Sequence, residues 1–161
     1  MSVALDAGPL LRELEHALSR ARDGDARRVV SVTVELEDTA DPSAIAAGSR
    51  RADDRWFCWE RPEGGFALGG IGTAIDVVSR GELRFPEIAA GCSRALRDRI
   101  AVEPEGLAAG AGPVWTAGFA FSPDGGSEPI WSSLPPALAV LPEISIARSG
   151  DAAWLTASAA M

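Results

Sequence analysis

One imidazole, His16, two thiols, Cys58 and Cys92, and a scatter of carboxylates are the groups from which this 161-residue chain could build a reaction. Each is placed poorly for it. Residues 9–22 put Leu10, Leu14, Ala17, Leu18 and Ala21 on one helical stripe, which leaves His16 on the polar face as a solvated side chain with no second His or Cys to share a metal or a proton. Cys58 and Cys92 form neither a zinc spacing nor a disulfide framework, so both read as free, buried thiols of a reducing compartment. Asp53 and Asp54 are adjacent, but neighbours in an extended chain point to opposite faces and make a poor acid/base pair; a solvated loop is the simpler reading. Glu60, Glu143 and Asp151 are the least ordinary of the remaining acids, and they too read as structural or surface groups. No residue is therefore assigned a catalytic, substrate-binding or metal-binding role.

The absent residue types narrow the chemistry further. The sequence contains no Lys, Tyr, Asn or Gln. A phosphate-cradling Walker loop lacks its lysine, Schiff-base chemistry lacks its amine, and a Cys-His-Asn arrangement lacks its amide. The glycine-rich stretch WFCWERPEGGFALGGIG, residues 56–72, invites a dinucleotide-loop reading, but counted from Gly70 the last required glycine falls on Ile75. Pro62-Glu63-Gly64-Gly65 instead reverses the chain between strands 56–60 and 66–75. Gly69, Gly70 and Gly72 then mark a bulge or a close approach, by another layer or by a bulky side chain such as Trp56 or Trp59.

The elements that would position these groups fit one domain, since a chain near 150 residues buries roughly 70% of its unfolded surface. Helix 9–22 stops near Gly24. Residues 28–37 alternate, with Val30, Val32, Val34 and Leu36 opposite Ser31, Thr33, Glu35 and Glu37, which predicts a half-exposed strand of an antiparallel sheet. Residues 38–54 form a polar connection with one short helical turn. Residues 85–100 predict a helix whose stripe is Phe85, Ile88, Ala89, Cys92, Ala95, Leu96 and Ile100, making Cys92 a structural thiol. Strand 114–123 points Trp115, Ala117, Phe119 and Phe121 one way, leaving a thin face at Gly118 and Ala120 for close packing. An aromatic and proline cluster, residues 130–143, and a hairpin turning at Ser149-Gly150 complete an α+β order, helices laid on one side of an antiparallel sheet. A formal charge of −8 with scattered arginines argues against nucleic acid. No apolar run is long enough for a membrane helix and no leader pattern opens the chain, which predicts a cytoplasmic protein with no membrane partner.

Phe57-Cys58-Trp59-Glu60 before a small-residue strand, Trp115-x-x-Gly118-Phe119-Ala120-Phe121, Trp131-x-x-Leu134-Pro135, Leu141-Pro142-Glu143, and a strand with Arg148 and Trp154-Leu155-Thr156 together resemble the amino-terminal portion of isochorismate synthases, over roughly residues 5–158. The wider group of chorismate-utilising enzymes shares the architecture. The resemblance implies residues 1–161 as a single N-terminal segment, with the C-terminal chorismate-binding catalytic half absent. It also implies that catalysis, chorismate binding and Mg²⁺ ligation belong to that half, in cis or in trans, in menaquinone or siderophore precursor synthesis. In that family a lysine activates water and a glutamate protonates the leaving hydroxyl; a chain without lysine offers no equivalent, because arginine stays protonated. On this reading the segment alone is inactive. The alternative expectation is a short, non-catalytic assembly module that complements a separate chorismate-binding subunit.

Overall fold

The computed structural model describes residues 8–22, 28–36, 41–126 and 129–161. Among these residues two sheets and three α-helices make up an α+β fold, as the order of elements predicts. Helix α1 spans Gly8–Arg22, and its expected stop at Gly24 lies outside the described residues, as does Glu37 at the end of the first strand.

Strand β1 (Val29–Leu36) lies inside the six-stranded sheet rather than at a half-wet position. It pairs antiparallel along its length with β9 (Ala152–Ala160) and parallel with the short β5 (Ile100–Val102). Its expected polar face is covered: Ser31 and Thr33 are buried and only Glu35 is exposed. Thr33 and Thr156 satisfy one another there, their Oγ1 atoms 3.0 Å apart, whereas the buried Ser31 Oγ has no hydrogen-bond partner among the described residues. The neighbouring Ser145 Oγ, on β8 (Ile144–Ser149), points to the Gly112 carbonyl of an overlying loop at 3.5 Å. The opposite face carries the apolar core. Val30, Val32, Ile146, Leu155 and Ala157 pack there with Ala17 of α1 and Ile45 of α2. Helix α2 (Pro42–Ser49) is longer than the single turn expected; Asp41 caps it, its Oδ1 accepting from the N–H groups of Ser43 and Ala44 at 3.0 and 3.1 Å, and Pro42 opens the first turn.

The hairpin follows the sequence reading. Strands β2 (Trp56–Arg61) and β3 (Phe66–Ile71) flank a 3-10 turn at Pro62–Gly64, with Gly65 at φ 62°. The close approaches at its glycines are real, but the tryptophans do not make them. A Cβ on Gly69 would strike the Pro42 carbonyl of α2, and one on Gly70 would enter the Phe57 ring. Strand β3 does not run to residue 75. Gly72, at φ 75°, turns the chain, and β4 (Ile75–Ser79) joins a second sheet of order β4-β7-β6, with β6 at Thr116–Phe119 and β7 at Ala137–Leu141. The return path crosses at Pro142, so the β3/β8 ladder ending at Ile71 and Ile144 resumes as the β4/β7 ladder at Ile75 and Leu141.

Helix α3 (Arg84–Leu96) covers one face of this smaller sheet, where Ile88, Ala137 and Ala139 meet Val77, Cys92 and Trp115. It ends four residues earlier than predicted, because Ile100 is drawn into the large sheet beside Val30. Phe85, assigned to the buried stripe, stands half exposed and stacks on Phe119 with ring centroids 4.6 Å apart. Ala89 is exposed as well, and Arg84 is buried in place of them. The Arg84 guanidinium donates to the carbonyls of Gly81, Ala120 and Phe121, tying the start of α3 to the end of β6. The expected close packing on Gly118 is not found. Nothing lies within 4 Å of a Cβ built there, and Phe121 is fully exposed.

Candidate functional site

The residues singled out for chemistry are scattered. His16 and Asp53 are exposed, and Asp151 sits in the exposed β8–β9 turn. Asp54 organises its own loop, its Oδ2 accepting from the Arg51 N–H at 2.8 Å. Glu60 is exposed on β2. Cys58 is exposed rather than buried, because β2 is the edge of the large sheet. Cys92 is half buried in the α3 core, and desolvation pushes its thiol pKa up despite an opposing backbone hydrogen bond. Among the described residues no three His, Cys, Asp or Glu side chains converge.

What the fold does build is an open groove of about 370 Å³ where the two sheets meet. Its walls are Phe57 from β2 and Thr116, Leu138 and Val140 from the face of the small sheet that α3 leaves bare, with Leu134 beside them. Asp54, Arg55, Trp56 and Gly72 also line it. The local sequence explains the shape. Gly70 lets the Phe57 ring lie flat on β3, and Gly72 takes a positive φ that a side chain would resist, since its Cβ would also stand 2.5 Å from the Glu143 carboxylate. The Gly72 N–H donates to the Arg55 carbonyl at 2.9 Å, and the Ala74 N–H to the Leu141 carbonyl at 2.9 Å, so the bend is stitched on both strands. One ion pair spans it, Arg55 Nη1 to Asp76 Oδ2 at 2.9 Å. Both partners are about half exposed, at 51% and 44%, so the pair orients the bend more than it stabilises it. A second hollow of about 360 Å³ lies behind the bend, between Thr73–Asp76 and Ala95 of α3.

The groove is suited to contact and not to proton transfer. Its walls are mostly apolar; its cation and its nearest carboxylates are already engaged with each other or with backbone. Sequence reading missed Arg55, Asp76, Leu134, Leu138 and Val140. The available signal was Gly72: two glycines before it are explained by close packing, whereas a third at the end of a strand marks a change of direction.

An α+β fold of two sheets with a groove at their junction is the class these features define. The chain matches the family described as chorismate binding enzyme over residues 15–161, and it belongs to that family. No curated protein matched the sequence. Among solved structures it is similar to MenF, the menaquinone-specific isochorismate synthase from Escherichia coli, at 17% identity and a TM-score of 0.48. That comparison covers 92% of this chain and 29% of the other, so the present sequence spans under a third of that protein's length.

Proposed function

We infer that the chain is the scaffold portion of a cytoplasmic isochorismate synthase, forming the surface against which a chorismate-binding catalytic half folds, in cis or in trans. The observation that carries this reading is the bare side of the small sheet and its surroundings. Val78, paired with Leu138 on that face, and Leu134 of the groove wall are each more than half exposed. Fully burying one such side chain contributes about 1.5–3 kcal/mol, so a covering domain would gain substantially from this surface. Composition supports the same division of labour, since a chain without lysine holds no amine that could activate water. Magnesium does not fit the carboxylates described here. An octahedral ion needs converging oxygens, whereas Asp76 faces Arg55, Asp54 faces a backbone N–H and Glu143 lies over Gly72. Chorismate, magnesium and the proton transfers accordingly belong to the other half.

The test is reconstitution. Residues 1–161 given chorismate and Mg²⁺ should yield no isochorismate above background, read by chromatography. Addition of the chorismate-binding domain of an isochorismate synthase should give a complex that elutes together, with turnover above that of the added domain alone. Turnover by residues 1–161 without any partner would overturn the assignment of the chemistry.

A further inference from the structure

The open edge of the large sheet is built to pair with itself. Strand β2 is the outermost strand, is six residues long, and contains neither proline nor lysine, the residues that commonly blunt an edge. All of its residues except Phe57 are exposed. The hydrogen-bond parity fixes which backbone groups are free. The Gly72 N–H donates to the Arg55 carbonyl, and on the far side of β3 the Gly150 N–H donates to the Gly65 carbonyl at 3.0 Å. In an antiparallel ladder these two bonds turn the N–H and C=O groups of Arg55, Phe57 and Trp59 inward to β3, leaving those of Trp56, Cys58 and Glu60 pointing outward.

We propose that two copies of the chain associate through antiparallel pairing of β2 about a two-fold axis at Cys58. In that register Cys58 faces Cys58, Trp56 faces Glu60 and Glu60 faces Trp56, so all three outward residues exchange both of their hydrogen bonds. The neighbouring registers do worse. A shift of two residues one way brings Pro62, which has no N–H, opposite Trp56. The same shift the other way needs the Asp54 N–H, which already donates to the Arg51 carbonyl at 3.3 Å.

Side chains favour the same register. Arg50 places its guanidinium 4.7 Å from the centre of the Trp56 ring, so Glu60 of the second copy, landing opposite Trp56, meets a positive charge, and symmetry provides this twice. Phe57 falls opposite Trp59 in the non-hydrogen-bonded pairs, where cross-strand side chains lie closest. Arg61 falls opposite Arg55, but Arg55 is already turned to Asp76 at 2.9 Å, which sets a carboxylate beside the two cations. The inference rests on this edge and is independent of the functional reading.

Sedimentation velocity on the full chain across the micromolar range tests it. The native protein should show a monomer–dimer equilibrium. Cys58→Pro removes an outward N–H that β3 does not use, and Glu60→Arg sets like charges together; each should weaken the dimer by roughly tenfold or more while far-UV circular dichroism is retained. Arg50→Glu combined with Glu60→Arg should restore the native dimer. A native protein that stays monomeric throughout overturns the proposal, as does a dimer indifferent to both single variants, including one formed through the bare face of the small sheet.

Discussion

The two sheets of this molecule are built from the same residue types and finished to different degrees. In the large sheet, β1 has a partner strand on each side, helices α1 and α2 over its apolar face, and a second face of hydroxyls that is also buried. In the small sheet, α3 supplies one cover and the other face is bare, with Val78 half exposed and open space around Gly118. A sheet buried on both faces is a complete core, whereas one covered on a single face keeps part of its burial energy in reserve. The difference separates a sheet whose central strands are covered on both faces from one with a single face left open.

Cavity formation should expose that contrast most strongly. Leu155→Ala, in the core shared by α1 and β9, is expected to cost about 2–5 kcal/mol in a urea titration, as large-to-small changes in packed cores do. Val78→Ala on the bare face should change stability by no more than about 0.5 kcal/mol. Equal costs would mean that the bare face is covered in solution by the protein itself.

A smaller effect of the same kind comes from adding atoms. Gly69→Ala drives a methyl group into the Pro42 carbonyl and must push α2 off the sheet, for about 1–3 kcal/mol of lost stability. Gly118→Ala meets nothing, and Gly118 is not among the positive-φ glycines, so the substitution should leave stability unchanged or raise it by up to about 1 kcal/mol. Loss of stability in the second variant, measured on the chain without a partner, would contradict an open face.

These two glycines also mark how far the sequence can be read. The helix around Ala17, the strand at β1, the turns at Gly65 and Gly150 and the α+β order follow from local periodicity and φ preference, and all are present in the fold. Whether a thin strand position is thin because something presses on it is a question about distant chain. Gly69 is pressed by α2 and Gly118 by nothing, yet each is a glycine in an apolar strand. The burial of Ser31 and Thr33 was hidden for the same reason, since alternation reports polarity and not what lies above it. Arg84 was hidden by its charge: its three carbonyl partners come from turns that only the finished fold brings together. The groove belongs to this second kind of information, for it exists only because Gly72 and Pro142 carry two paired strands from one sheet to the other.

The finest probe of the comparison is the pair of thiols, one at the edge of the large sheet and one in the helix that covers the small sheet. Cys58 stands exposed at the edge of the large sheet, and Cys92 is half buried in the core of the small one, where desolvation raises its pKa above the ordinary 9.0. Thiolate is the reactive form, so a disulfide reagent near neutral pH should label Cys58 first and Cys92 more slowly. The folded pKa of Cys92 is the higher one, so folding leaves its contribution to stability intact below pH 9.0 and loses it as pH rises from there toward the folded value, because the unfolded chain ionises first. The slope should disappear in Cys92→Ala. A partner seated on the bare face would slow labelling of Cys92 further by holding the small sheet closed, and would leave Cys58 untouched; protection of Cys58 instead would place the contact at the β2 edge.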